Sequence, residues 1–258
     1  MIKKLFIVCL IALLWVTGAW ADAGFIGEVG QTPASATYCA SCPDTSAGAD
    51  VACEDWENTG ARCTWADTTG ADGAISHAAT HAGTWDTITN KGLKCLQITN
   101  SNATHTFTVF DMGAGKTNPF FNYFLLVDSE GLASGQFFEV FRLSSNSDGG
   151  GASVLYLKVY DNAGTIELRI SYLNDTPAWE EVTLQSISLD NDYKVEIDWQ
   201  SGTHLIVDIN DTNRLNDTTN IYTQTGQRYY LFGDTSYAPT LTSVFQVDNV
   251  KVDDDTAP

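Results

Sequence analysis

Ser153-Val154-Leu155-Tyr156-Leu157-Lys158-Val159-Tyr160, followed after four residues by Thr165-Ile166-Glu167-Leu168-Arg169-Ile170-Ser171-Tyr172-Leu173, decides the fold class of this chain. Both runs alternate apolar and polar residues with the period of two that a half-buried strand requires. The linking Asp161-Asn162-Ala163-Gly164 has the composition of a tight turn. Setting Tyr160 opposite Thr165 places Leu155, Leu157 and Val159 against Ile170, Leu168 and Ile166. The other side then sets Lys158 against Glu167 and Tyr156 against Arg169. One face is a core face, and the other carries charge pairs among aromatic rings. A slip of one residue would scramble both faces.

The same pattern extends in both directions. Tyr193, Val195, Ile197 and Trp199 alternate with Lys194, Glu196 and Asp198, and a turn at Gln200-Ser201-Gly202 leads into Leu205, Val207 and Ile209. Phe120–Val127 is apolar on both faces, as a central strand should be. Further strands are expected at Leu93–Thr99, Thr104–Phe110, Phe137–Leu143, Ala178–Leu184, Tyr229–Gly233 and Val244–Val252. About a dozen strands with no crossover helices mean an antiparallel sandwich or barrel. Residues 51–253 read as one all-β domain. Residues 22–50, rich in Ala, Gly, Thr, Ser and Pro, read as a flexible segment before it.

Residues 1–21 have the plan of a signal peptide. Lys3 and Lys4 precede an apolar stretch from Leu5 to Val16, and Ala19-Trp20-Ala21 supplies small residues at a cleavage site. The stretch is shorter than the roughly 20 residues of a membrane span. The expected address is secreted, extracellular or cell-surface, with no membrane insertion after cleavage. With 13 Lys and Arg against 32 Asp and Glu, the formal charge is −19. That balance excludes nucleic acid as a partner, because phosphate neutralisation supplies most of such affinity. Five cysteines follow the leader: Cys39, Cys42, Cys53, Cys63 and Cys95. In an exported chain they are expected to be oxidised rather than to bind zinc, which leaves one unpaired and the connectivity open.

Several short motifs resemble the concanavalin A-like (laminin-G-like) superfamily. Cys53-Glu54-Asp55-Trp56-Glu57 is similar to its opening strand, and Gly92-Leu93-Lys94-Cys95-Leu96-Gln97-Ile98 to the strand that follows. Tyr193–Trp199 with Leu205–Asn210 resembles the penultimate hairpin. Tyr230-Leu231-Phe232-Gly233-Asp234 and Gln246-Val247-Asp248-Asn249-Val250-Lys251-Val252 resemble the last two strands. The resemblance covers about residues 51–253. It implies a two-sheet antiparallel jelly-roll sandwich, frequent sugar binding and often a structural calcium.

Asp248 lies inside an otherwise apolar strand, where a carboxylate needs a metal ion, a backbone donor or water as partner. In such a jelly roll the first and last strands lie side by side, which brings Glu57, with Asp55 nearby, close to Asp248. A Ca2+ ion would relieve the repulsion between these carboxylates and tie the chain ends together. Glu196-Ile197-Asp198-Trp199-Gln200-Ser201 begins like the catalytic strand of β-glucan hydrolases, but Ser201 stands where a glutamate is needed. Glu196 and Asp198 therefore read as outward polar positions. His77 and His81 could share a metal only on a helix, and their Ala, Gly and Thr surroundings point to a loop.

Sugar recognition needs an exposed aromatic platform flanked by hydrogen-bonding groups. Tyr156, Lys158, Tyr160, Arg169 and Trp179 are the candidates. The expected function is a non-catalytic carbohydrate-binding or adhesion module whose partner is an extracellular glycan or cell-surface polysaccharide. The alternatives are a self-assembling extracellular structural protein, which would form oligomers, and a polysaccharide hydrolase or lyase.

Overall fold

The Ser153–Leu173 hairpin forms, in a register shifted by two from the expected one. Asn162 pairs with Thr165, so Ala163-Gly164 alone makes the turn. Both turn residues have positive φ, 51° and 90°, the mirror-image geometry that matches strand twist. The Gly164 N–H donates to Asp161 Oδ1 at 2.6 Å. Lys158 therefore faces Arg169, Tyr160 faces Glu167 and Tyr156 faces Ser171. The expected Lys158–Glu167 and Tyr156–Arg169 pairs do not form, because two residues suffice to reverse the chain and the strands run on through Asn162. An even shift preserves the faces, so Leu155, Leu157, Val159, Leu168 and Ile170 are all buried.

The computed structural model describes residues 50–54, 56, 65–69, 73–80, 94–101, 105–148, 153–224, 226–235 and 242–253. They lie in the contact unit Ser35–Pro258; the other unit, Met1–Ala34, contains none of them. The leader at 1–21, Cys39, Cys42, Cys63, Asp55, Glu57 and His81 are outside the described residues. Within them run β1 Asp50–Glu54, β2 Trp65–Thr68, β3 Ala74–Thr80, β4 Lys94–Asn100, β5 Thr106–Lys116, β6 Phe120–Ser129, β7 Phe137–Ser144 and β8 Ser153–Asn162. They are followed by β9 Thr165–Leu173, β10 Trp179–Ser186, β11 Asp192–Gln200, β12 His204–Ile209, β13 Thr212–Asp217, β14 Gln227–Asp234 and β15 Ser243–Asp253.

Two antiparallel sheets form the sandwich. The first has the order β13-β12-β11-β6-β15-β4-β3, with β1 also on β15, and the second has the order β10-β9-β8-β7-β14-β5-β2. Aromatic rings from both inner faces interlock between them. Phe121 meets Phe141 at 4.9 Å between centroids and Tyr123 meets Phe232 at 5.1 Å, both edge-to-face. As expected of its two-sided apolar sequence, β6 is an interior strand, between β11 and β15.

The first and last strands do lie side by side. Along one edge of β15, Ser243–Val247 pairs with β4 and Val250–Asp253 pairs with β1, while β6 runs along the other edge. The partner changes at Asp248-Asn249. There the β6 ladder skips from Asp248–Phe124 to Lys251–Asn122, and Asn249 takes φ 48°. Asp248, 1% exposed, accepts the Asn249 N–H at 2.7 Å. The buried acid marks the bulge at which the closing strand passes from one neighbour to the other.

The two lateral edges of the sandwich are stitched by polar side chains. At one, the Tyr172 hydroxyl of β9 lies 2.9 Å from Asp217 Oδ2 on β13 and 3.0 Å from Glu180 Oε2 on β10. At the other, the Trp56 Nε1–H donates to His77 Nδ1 at 3.2 Å, which leaves His77 Nε2 to donate to Asp67 Oδ1 at 3.0 Å. Asp67 also accepts the Thr108 hydroxyl at 2.6 Å. His77 thus belongs to strand β3, not to the loop expected from its Ala- and Thr-rich surroundings. Nor was β13 expected, since Thr212-Asn213-Arg214-Leu215-Asn216-Asp217 has the composition of a turn. Both are edge strands, each held by one ladder, by these side-chain bonds and by a single apolar residue, Ile75 or Leu215, packed on the core.

Gly164 isolates the turn requirement. A Cβ there would meet nothing within 4 Å, so Gly164→Ala tests backbone conformation alone. It should cost about 1 kcal/mol, seen as a lower denaturant midpoint at unchanged m-value.

Candidate functional site

The outer face of the second sheet, across β7 to β10, gathers the residues suited to recognition. Register aligns them in three rungs. Arg142, Tyr156, Ser171 and Glu181 form the first; Glu139, Lys158, Arg169 and Thr183 the second; Phe137, Tyr160, Glu167 and Ser186 the third. Glu139 and Arg142 are three apart, yet both belong to this face, because the β7–β8 ladder shifts between Glu139 and Phe141.

A lattice of ion pairs fixes these rungs. The Arg142 guanidinium donates to both Glu139 oxygens, through Nε at 3.0 Å and through Nη2, and its Nη1 donates to Ser153 Oγ at 2.9 Å. Arg169 donates through Nε to Glu167 at 2.8 Å and through Nη1 to Glu181 at 2.8 Å. Lys158 Nζ pairs with Glu181 and sits 4.4 Å from the Phe137 ring centroid. Asn162 and Arg169 donate to Glu167 and hold its carboxyl below the usual range despite some burial. Burial pushes Glu181 up, but the bonds from Lys158 and Arg169 outweigh it and leave it lowered.

The aromatic groups lie on this floor. The Arg169 guanidinium stacks 3.6 Å from the Tyr160 centroid, and Arg142 lies 5.0 Å from that of Tyr156. Tyr156 contacts Trp179 at 5.1 Å between centroids. Trp179 is 48% exposed, unusual for a residue of its size. It stands at an open cleft of about 440 Å³, lined also by Arg142, Ser153, Tyr222 and Gln224.

All five residues expected to contact sugar are therefore on one face, in different roles. Trp179 is presented to solvent, and Tyr156 and Tyr160 are half-buried. Lys158 is 4% exposed, so it braces the rings from beneath. Sequence reading missed Arg142, Ser153, Tyr222 and Gln224. They come from β7, the start of β8 and the segment before β14, and no local pattern links them. Glu196 and Asp198 lie on the outer side of β11 as expected; Glu196 accepts from Asn122 and pairs with Lys194, and Asp198 lies 3.0 Å from His204 Nε2.

Calcium needs 6–8 oxygen ligands. Calcium aside, Asp248 accepts a backbone N–H, and nowhere among the described residues do three His, Cys, Asp or Glu side chains gather as a metal site. The other two expected ligands, Asp55 and Glu57, lie outside the described residues.

No protein-family profile and no curated protein matches this sequence. Solved structures do match. A sialidase superposes with TM-score 0.54 at 11% identity over 80% of this chain, which spans only 18% of that one. The receptor-binding domain of botulinum neurotoxin D superposes with TM-score 0.52 at 9% identity, over 81% of this chain and 50% of that one. Alginate lyase AlyC3 gives TM-score 0.48 at 9% identity, over 62% and 74% of the two chains.

Two tests follow from the geometry. The stability that ionised Glu167 adds is present above its unfolded pKa of about 4.3 and is lost as pH falls through its lowered folded value. The difference in unfolding free energy between wild type and Glu167→Gln should be constant at neutral pH and shrink below about pH 4. Asp248→Ala should lower stability by about 1–3 kcal/mol, equally in EDTA and in calcium. A calcium-dependent rise in melting temperature of the wild type alone would instead assign Asp248, with Asp55 and Glu57, to a cation. At these identities the likenesses are of fold, and the fold is the two-sheet antiparallel jelly roll of the concanavalin A-like sandwich.

Proposed function

We propose that this protein is an exported, non-catalytic glycan-binding module that works through the outer face of β7–β10. The observation that carries the reading is Trp179, a large apolar ring held in solvent beside a cleft with polar walls. The C–H face of a sugar ring stacks on such a surface, while the polar residues Ser153, Tyr222 and Gln224 line the cleft where ring hydroxyls would lie. A cleft of this volume is in the usual range for small-ligand sites. Export rests on the leader-like residues 1–21.

The acids of the face support binding without chemistry. A catalytic acid in glycoside cleavage needs a raised pKa. Glu167 and Glu181 are instead lowered, and Glu139 is clamped by Arg142 and the Thr235 hydroxyl. Trp179→Ala should weaken binding to the cognate glycan on the order of tenfold, with the melting temperature unchanged. Titration calorimetry against the polysaccharide identified by array screening measures this. Unchanged affinity would move the site away from this cleft, and product release from the polysaccharide would replace binding with catalysis.

A further inference from the structure

We propose that this face selects uncharged glycans and rejects anionic ones; the inference rests on the glycan-binding reading above and names the ligand class. Three cations, Arg142, Lys158 and Arg169, lie on the face, and three carboxylates, Glu139, Glu167 and Glu181, lie among them. The face sums to zero.

Each guanidinium spends three of its five N–H groups on neighbours, and in both the Nε–Nη2 fork is turned onto a carboxylate. Arg142 uses Nε and Nη2 on Glu139 and Nη1 on Ser153. Arg169 uses Nε and Nη2 on Glu167 and Nη1 on Glu181. Binding a uronate or sulfate needs a forked pair of N–H groups facing the ligand. Freeing that pair on Arg142 would strand Glu139, which is 1% exposed, as an unpaired buried charge. Beyond the face, the chain carries −19 in all, so an approaching polyanion is repelled. Beside the Trp179 ring, the cleft is lined by the polar, uncharged residues Ser153, Tyr222 and Gln224, with the Arg142 fork turned to Glu139. Aromatic stacking with neutral hydrogen bonding is the chemistry that reads an uncharged pyranose or furanose chain.

The test uses the full-length protein in affinity electrophoresis against two panels. The neutral panel is β-glucan, mannan, xylan and galactan; the anionic panel is alginate, polygalacturonate and a sulfated galactan. Each is run at about 20 mM and about 300 mM salt, on either side of the roughly 10 Å screening length at 0.1 M. At least one neutral polymer should bind with affinity nearly independent of salt, and no anionic polymer should bind even at low salt. Salt-sensitive binding to an anionic polymer overturns the proposal and leaves the glycan-binding reading standing. Failure of every polymer to bind overturns that reading itself.

Glu181→Gln adds a gain-of-function arm. Glu181 is part-exposed and serves both Lys158 and Arg169, so its neutralisation leaves one surplus positive charge. The folded variant, checked by its melting curve, should acquire weak binding to alginate or sulfated galactan that about 300 mM salt abolishes. A folded variant that gains nothing shows that charge balance is not what rejects anions.

Discussion

The structure depends on β15 keeping three neighbours with one strand. It runs against β6 along one edge and, in succession, against β4 and β1 along the other. A continuous regular strand could hold β6 and one of the others in simple register. Passing from β4 to β1 requires a break, and Asn249, in the left-handed region, provides it. The break turns a backbone N–H away from the ladder, and the Asp248 carboxylate accepts it. A buried acid is tolerated there because a donor is built in beside it. Through this one strand, residues 50–54 near the start of the domain are tied to its end.

A sandwich built this way still has open sides. Among the described residues no strand covers the edges where the sheets meet, and apolar packing alone would leave those rims wet. Polar chains close both sides. Tyr172 links β9 to β13 through Asp217, and His77 links β3 to β2 through Asp67, with Trp56 and Thr108 completing the second chain. Each joins one sheet to the other, so each limits sliding between layers while the aromatic core fills the space between them.

The outer face uses charge differently. Its ion pairs run from the buried Arg142–Glu139 pair to those of part-exposed Glu181, and neither kind adds much net stability by itself. Their value lies in geometry. Arg142 and Arg169 each contact a carboxylate and an aromatic ring, so the rings inherit the rigidity of the lattice. Trp179, resting against Tyr156, is thereby presented in a fixed orientation at the cleft. Preorganised aromatic surface is what a weakly binding ligand such as a sugar needs, since little affinity remains to order a floppy site.

Period-two alternation, turn composition and the two-sided apolar run at Phe120–Val127 determined an antiparallel sandwich, because burial on one face leaves a mark at every second residue. The same alternation placed Tyr156, Lys158, Tyr160 and Arg169 on the outward face. It left the register open by two, since an even shift keeps every residue on its side and only the Ala163-Gly164 turn selects among the options. It also missed β3 and β13, edge strands that bring only Ile75 and Leu215 against the core and so show no sustained alternation. The role of Lys158 as a brace, the handover at Asp248 and the joining of Arg142, Ser153 and Gln224 to Trp179 were decided by the tertiary structure alone. Those relations arise between strands remote in sequence, and no local pattern encodes which strand lies next to which.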